Sequence, residues 1–439
     1  PAPPCAHPPR HYGTSKGAAI SWGTARFAQV VQVKTDVLLG IVQEGFTGLL
    51  MDADLHLFRN PMPELARLAE QERADLVIQD DMEGGRNSGF MYLRPSDEGA
   101  AFAVHVVGMQ RRSRTLRQQE AVNRALRSFR MRSFRVFPLP QNSWPCGEAF
   151  FNKFARRVFA WSSSCSDCIL VHNNWILGDD AKEYRAKEFL QWTVDSPGGG
   201  SMEQGYYTSP ENRFLVLGNP DPNVRLVVEE AALKAAFKIG KILNRSVIIP
   251  WLRCRTYCYD PACRPRRGDL DICPLHARYY VRQWNEFLGR NSWREAMFRY
   301  NPLTHQQVRL QHNLAHFAQW AETDERVKPG WKDPTLPTFG LKSMQPSPEQ
   351  AFYVVGKSEQ VPSWGNVFHD EAPKDSTSVV RTAMPGILTR EEIDRTWGKF
   401  PDKILRFHSL YHVTVLDGDD LAFDKKWVKA MMHASIRQV

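Results

Sequence analysis

The sequence predicts an α/β protein, in which short apolar strands alternate with amphipathic helices. Apolar residues recur at helical spacing over residues 24–44, and the apolar run GLLM follows at 48–51. A second helical pattern over residues 61–73 leads into a second apolar run. A third apolar run, at residues 88–94, is followed by another helix-like segment. This alternation is typical of α/β domains with a largely parallel sheet.

The first helix is predicted from apolar positions that share one helical face. These positions are Phe27, Val30, Val31, Val37, Leu38 and Ile41. Lys34 lies within this apolar stripe and interrupts it.

Two of the predicted strands end in carboxylates. The run GLLM leads into Asp52 and Asp54, and the second strand, Ala74 to Ile78, precedes Asp80 and Asp81. Ligands of α/β sheets bind at the carboxyl ends of the strands. Two carboxylates in a DxD pattern can share one Mg²⁺ or Mn²⁺ ion, because these cations prefer oxygen ligands and bridge to phosphate oxygens. The pattern therefore favours a diphosphate substrate, whose departing charge the metal would neutralise.

The length of the chain predicts more than one domain, because 439 residues exceed one ordinary core. The Gly-rich stretch SPGGGSMEQG at 196–205 marks a boundary. Beyond it, a long helix and a buried strand, Ser246 to Trp251, begin a second, smaller α/β unit. The predicted organisation is a linker at a truncated N-terminus over 1–20, a first domain over 21–200, a second unit over 206–328, and a C-terminal region packed on that unit over 329–439.

The charge balance is basic, with a formal net charge of +9. Much of the excess lies in the Arg-rich segment 111–135. No nucleic-acid-binding motif accompanies it, so a solvated helix face is predicted and nucleic acid is not an expected partner. No apolar run reaches the roughly 18 residues that a bilayer-spanning helix needs.

The eight cysteines favour disulfides over zinc. Cys165 and Cys168 form a CxxC pair, and four others cluster between residues 254 and 273. The late spacings do not form a paired CxxC ribbon. An even count with loop-like spacing suits an oxidising compartment, with the pairing left open.

The sequence around the DxD resembles the nucleotide-diphospho-sugar transferase family typified by plant cell-wall arabinosyl- and xylosyltransferases. MDADLHLFRNP is similar to that family's DxDxxWLxNP strand end, and NSGFMYLRPS to its NxGxxxxRP segment. QQEAVNRAL resembles its DQxxFN motif, and VHNNWILGDDAKEYRAKE its late His-containing segment. DSPGG, ICPL and WREAMFRYNPL resemble segments of the extensin arabinosyltransferases within that family.

The resemblance implies a GT-A-like, Rossmann-type domain with a UDP-sugar donor and Mn²⁺ or Mg²⁺. It implies a retaining glycosyltransferase that moves a sugar, best matched by L-arabinofuranose, to a hydroxyproline-rich glycoprotein or its arabinose chain. Galactosyl or xylosyl transfer stays open, as does a catalytically inactive relative that binds glycan or protein. The implied location is the Golgi lumen, with membrane contact only through a type II anchor upstream of this chain.

The resemblance also assigns roles to individual residues. The implied metal ligands are Asp52, Asp54 and His172, since imidazole suits Mn²⁺. The implied donor-binding residues are Asp52, Asp54, Asn87, Gly89, Arg94, Gly178 and Lys182. The implied catalytic residues are Asp81, Asp80, Gln119 and Asn123, of which Asp81 would orient sugar hydroxyls or stabilise an oxocarbenium-like transition state.

Other interpretations of these residues stay open. His172 also suits a hydrogen-bonded structural histidine, Lys182 an exposed helix lysine, and Arg94 an internal ion-pair partner. Gln118 replaces the family's aspartate in DQxxFN, and an amide cannot act as a base. Gln118 therefore motivates the inactive alternative. The segment 232–250 also resembles, more faintly, protein O-fucosyltransferase-like folds, which would put the donor site in the second unit.

Overall fold

The structure is a computed structural model of the chain. It describes the residues 24–113, 115–131, 133–154, 167–176, 178–192, 205–209, 212–217, 226–250, 252, 275–301, 303–304, 354–355, 387–399, 404–407, 410 and 413–431. The chain divides into two compact units. The first unit comprises the chain to Ala53 together with Pro61–Leu139, and the second comprises Asp54–Asn60 together with Pro140–Val439.

The first unit contains one sheet and the helices around it, with elements numbered in chain order over both units. Its strands are β1 (Gly48–Met51), β3 (Leu76–Asp80), β4 (Arg86–Leu93) and β5 (Val136–Leu139). Its helices are α1 (Ala25–Gln43), α2 (Met62–Gln71), α3 (Asp97–Arg112) and α4 (Gln118–Ser128). The sheet has the strand order β1-β4-β3-β5.

Local sequence explains where these helices begin. The Thr24 side chain accepts a hydrogen bond from the backbone N–H of Phe27 at 3.1 Å and caps α1. The Ser96 side chain accepts from the N–H of Gly99 at 3.0 Å and caps α3 in the same way. The core of the unit packs apolar residues of α1 and α3 against the central strands, including Leu38, Val42, Leu76, Ile78, Met91, Phe102 and Val106.

The expectation of a largely parallel sheet is wrong for the first unit. Only β3 and β5 pair in parallel, whereas β4 runs antiparallel to both β1 and β3. The reason is the short connection between β3 and β4, which holds only residues 81–85 and no crossover helix. Parallel neighbours need a crossover of a dozen or more residues, so a connection this short reverses the strand.

The second unit contains a parallel sheet. Its strands are β2 (Leu55–Leu57), β6 (Leu170–His172), β7 (Phe214–Leu217), β8 (Ser246–Ile248), β9 (Trp293–Arg294), β10 (Val354–Val355), β11 (Ile387–Thr389), β12 (Ile404–Phe407) and β13 (Thr414–Leu416). Its helices are α5 (Asp179–Glu188), α6 (Leu226–Ile242), α7 (Leu275–Arg278), α8 (Val281–Trp284), α9 (Arg390–Trp397) and α10 (Asp420–Ala430). The order β10-β12-β7-β8-β9 forms the parallel sheet, and β2 pairs antiparallel with β6.

The α/β fold class is confirmed. The predicted long helix is α6, and the strand predicted from Ser246 to Trp251 is the shorter β8, which ends at Ile248. Cys168 is disulfide-bonded, as the cysteine pattern favours, and Cys146 is buried. The predicted linker over 1–20, most of the Gly-rich break, and the late cysteine cluster lie outside the described residues. Among the helices described here, none is long and apolar enough to cross a bilayer.

Candidate metal and donor site

The centre of the site is the Asp54 carboxylate, which lies between an imidazole and an ammonium group. Strands β2 and β6 pair so that Leu55 stands opposite His172, and the Asn173 N–H donates to the Asp54 carbonyl at 2.8 Å. The pairing brings Nε2 of His172 to 3.3 Å from Oδ1 of Asp54. Nζ of Lys182, from α5, lies 2.7 Å from the other carboxylate oxygen.

The electrostatics of Asp54 favour its ionised form. Burial alone raises the pKa of Asp54, but the hydrogen bond and charge of His172, followed by those of Lys182, outweigh burial. The pKa of Asp54 therefore falls well below its ordinary value. The group is a carboxylate at physiological pH, which is the form that ligates a cation.

Asp52 supplies a second carboxylate at the end of β1. Its backbone N–H donates to the carbonyl of Gly89 at 2.7 Å, and Lys34 of α1 forms an ion pair with its side chain. Within the second unit, Asp54 and His172 offer a carboxylate oxygen and an imidazole nitrogen 3.3 Å apart, and Asp52 precedes Asp54 by two residues in the same DxD. Two carboxylates and an imidazole form a donor set that fits Mn²⁺, and the carboxylates also suit Mg²⁺.

The residues after His172 are held by a fully buried arginine that the sequence prediction missed. Nε of Arg185 donates to Oδ1 of Asn173 at 2.6 Å, and Nη2 donates to the Asn174 carbonyl at 2.5 Å. Nδ2 of Asn173 donates in turn to the Lys182 carbonyl at 2.8 Å. The spacing of Lys182 and Arg185, three residues apart on one helix, is the signal that could have found this arginine.

Two backbone positions beside these residues have positive φ. Gly178 has φ of 89° and immediately precedes α5, so the turn into the helix requires glycine there. Trp175 has φ of 57°, which is unfavourable for a bulky side chain, and it is 46% exposed. Strain of this kind concentrates at functional sites.

In the first unit, a connected set of hydrogen bonds joins Asp52 to Asp81. Gly89, whose carbonyl accepts from Asp52, donates its own N–H to Oδ1 of Asn87 at 2.8 Å. Nδ2 of Asn87 donates to Oδ2 of Asp81 at 3.5 Å, and Gln119 donates to the same oxygen at 3.1 Å. The structure therefore brings five of the predicted site residues together.

Asn123 and Asp80 brace the start of β4. The Asn123 amide donates to the Arg86 carbonyl at 2.7 Å and accepts from the Arg86 N–H at 2.9 Å. The Arg86 guanidinium lies 2.5 Å from the Asp80 carboxylate. Burial raises the pKa of Asp80, and the charge of Arg86 opposes that rise.

The structure does not bring Arg94 to this group. Arg94 follows the last residue of β4 and is exposed, whereas Gly89 lies near the start of the same strand. Five residues of extended strand separate them, or roughly 16 Å.

Comparison with known proteins confirms the predicted family resemblance. Residues 3–186 match the family model for nucleotide-diphospho-sugar transferases. That stretch contains the DxD, Asp81, His172 and Lys182. This stretch is similar to the nucleotide-diphospho-sugar transferase family and covers less than half of the chain.

Two curated plant proteins are similar to the chain, both from Arabidopsis thaliana. UDP-D-xylose:L-fucose alpha-1,3-D-xylosyltransferase 3 is 26% identical over 205 residues, covering 40% of this chain and 51% of that protein. Beta-arabinofuranosyltransferase RAY1 is 26% identical over 194 residues, covering 40% of this chain and 36% of that protein. The chain thus spans about half the length of the first and about a third of the second. No solved structure matches the chain significantly.

Proposed function

We propose that this chain is a metal-dependent glycosyltransferase that uses a UDP-sugar donor. The observation that carries the proposal is the Asp54 carboxylate held between His172 and Lys182, two residues after Asp52, within the stretch that matches the family. The donor set suits a divalent cation that accepts oxygen and imidazole ligands, so Mn²⁺ is favoured over Mg²⁺.

The metal-ligating residues stabilise the diphosphate leaving group through the cation that they would bind. A divalent cation bound there supplies positive charge to the diphosphate as the sugar departs. Lys182 binds the diphosphate as a compact charge on a flexible stem, and Gly178 keeps the turn before α5 open beside it. Asp52 and Asp54 of the DxD would hold the cation, and His172 would complete the ligand set.

Asp81 acts on the sugar. Asn87 and Gln119 donate to one of its oxygens, which fixes the carboxylate in place. A carboxylate so fixed orients sugar hydroxyls and stabilises the positive charge that develops at the anomeric carbon. Gln118, by contrast, is buried at the first residue of α4 and carries no group that takes a proton. We assign the chain to the retaining class on the family resemblance.

L-arabinofuranose is the proposed sugar, and a hydroxyproline-rich glycoprotein or its arabinose chain is the proposed acceptor. The extensin-like segments and the similarity to a beta-arabinofuranosyltransferase support this choice. The similarity to a UDP-D-xylose transferase makes xylose the second candidate donor sugar, with galactose the third. The proposed location is the Golgi lumen, and the disulfide at Cys168 is consistent with an oxidising compartment.

The test is calorimetric titration of UDP into the folded chain with and without Mn²⁺. We expect binding that requires Mn²⁺ and that is lost when Asp52→Ala and Asp54→Ala are combined. Asp36→Ala is the matched control, because Asp36 is an exposed carboxylate of α1 paired with Arg111. UDP binding that ignores Mn²⁺, or that survives in the double variant, would remove the site assignment.

A donor screen follows on the same protein. Transfer from UDP-L-arabinofuranose, but not from UDP-xylose or UDP-galactose, to a hydroxyproline-rich peptide is the expected result. Metal-dependent UDP binding with no transfer from any of the three donors would instead identify an inactive binding relative.

A further inference from the structure

We propose that Lys34 is a further donor-binding residue, which neutralises Asp52 in the metal-free protein and binds the donor diphosphate once a divalent cation is present. This inference rests on the proposed function. Lys34 lies on α1, outside the DxD, the NxGxxxxRP-like segment and the late His-containing segment.

Each of the two aspartates of the DxD forms an ion pair with a lysine. Lys34 forms an ion pair with Oδ1 of Asp52, and Lys182 forms one with Oδ2 of Asp54 at 2.7 Å. The Lys34 and Asp52 side chains are 36% and 28% exposed, so the pair is neither sealed in the core nor free in water. Each carboxylate of the DxD is therefore paired with one ammonium group.

Lys34 is partly exposed on α1, whose buried positions are Ala28, Thr35, Leu38 and Val42. The predicted apolar stripe is not a buried face, because Val30, Val37 and Ile41 are exposed. A partly exposed ion pair contributes little to stability, so it is a weak reason for a cation there. A cation beside Asp52 is better explained by the charge that the site must bind.

The charge balance of the loaded site requires additional cations. A divalent cation carries two positive charges, and the Asp52 and Asp54 carboxylates together cancel them. The negative charge of the diphosphate then remains to be balanced. Lys34 releases the Asp52 carboxylate oxygen, which then binds the divalent cation, because a doubly charged ion in direct contact outcompetes an ammonium group. Its freed ammonium group, on a flexible four-carbon stem, then binds phosphate oxygen.

Chemical labelling of lysine amines in the unmodified chain tests this directly. The labelling rate of Lys34, followed by mass spectrometry, should rise severalfold when Mn²⁺ alone is added and fall below the metal-free rate when UDP is added as well. Lys425, an exposed lysine of α10, is the internal control and should not respond. A Lys34 rate that ignores Mn²⁺, or that UDP does not lower, would overturn the inference.

Binding measurements on Lys34→Met give a second readout whose two effects have opposite signs. We expect Mn²⁺ alone to bind more tightly, because a competing cation is gone, and UDP at saturating Mn²⁺ to bind about threefold to tenfold more weakly. Arg26→Met is the matched control, since Arg26 is an exposed cation on the same helix.

If the wild-type chain binds UDP with Mn²⁺ and Lys34→Met leaves the UDP affinity unchanged, the inference is rejected and the proposed function stands. A wild-type chain that does not bind UDP with Mn²⁺ rejects the proposed function itself.

Discussion

Nε of Arg185 lies 2.6 Å from Oδ1 of Asn173, and this contact ties helix α5 to the residue that follows His172. Arg185 is fully buried, and its guanidinium also lies over the Phe151 ring at 4.1 Å. Asn173 in turn bonds the backbone of Asp54 and Lys182. The rigid guanidinium of Arg185 thus fixes the backbone that carries the side chains of Asp54, His172 and Lys182. We propose that Arg185 is a positioning residue for the proposed metal ligands Asp54 and His172.

Arg185→Gln should weaken UDP binding at saturating Mn²⁺ by about tenfold, because displacing positioned ligands by a fraction of an ångström typically costs one to two orders of magnitude. Amide exchange over residues 170–174 should also become faster, since Asn173 loses its anchor. Calorimetry and hydrogen-exchange mass spectrometry check these two outcomes.

Arg278→Gln separates positioning from global stability. Arg278 is equally buried in the same unit and is paired with Glu229, so its loss should lower the melting temperature. Its guanidinium donates to Glu229 and to the Tyr279 hydroxyl. Equal weakening of UDP binding in the two variants would assign Arg185 a purely structural role.

His172→Asn should reduce the preference of the site for Mn²⁺ over Mg²⁺. Imidazole is a good ligand for Mn²⁺, whereas Mg²⁺ prefers oxygen, so we expect a loss of about tenfold for Mn²⁺ and a smaller loss for Mg²⁺. The measurement is competition between the two metals in the presence of UDP. His105→Asn is the control, because His105 bonds Ser128 in the first unit. An unchanged metal preference would show that His172 is a structural histidine bound to Asp54.

The residues that sequence could predict are those fixed by local pattern. The DxD follows an apolar run, and His172, Gly178 and Lys182 lie in one short segment. Their arrangement could not be predicted locally, because β2 and β6 are more than 100 residues apart in the chain and only their pairing register puts Leu55 opposite His172.

Residues whose role depends on tertiary contact were harder to predict. Asn123 shares a helical face with Gln119, yet its side chain bonds the Arg86 backbone, which periodicity does not specify. Arg94 lies in a motif-like segment, but the direction of β4 carries it away from Gly89. Lys34 interrupts the predicted apolar stripe of α1, and its ion pair with Asp52 at the end of β1 is a tertiary contact that periodicity does not specify.

Asp81→Asn should separate binding from turnover. The amide keeps the shape of the side chain and an acceptor oxygen, so UDP affinity at saturating Mn²⁺ should stay within about twofold. Transfer should fall by about 10²–10³-fold, because the charge that stabilises the transition state is lost. Single-turnover transfer from UDP-sugar measures this step.

The neighbouring carboxylate is the control for Asp81. Asp80 is paired with Arg86, so Asp80→Asn should alter transfer much less than Asp81→Asn. Comparable losses of transfer in the two variants would contradict the assignment of the catalytic role to Asp81 alone.

Glu188, the last residue of α5, should make the stability of the chain fall as pH rises. Burial raises its pKa from 4.5 to about 8, the hydrogen bond from the Leu275 N–H opposes that rise, and the charge of Glu295 adds to it. Between pH about 4.5 and about 8 the folded chain therefore binds a proton that the unfolded chain has released, so stability declines through this window and then levels off.

Glu188→Gln keeps an acceptor oxygen for Leu275 and cannot ionise, so it should raise the melting temperature at pH 8.5 and change it little at pH 5. Glu64→Gln, an exposed carboxylate paired with Arg67, should leave the pH profile unchanged. A Glu188→Gln protein with the same loss of melting temperature at both pH values would show that this carboxyl is already ionised in the folded chain.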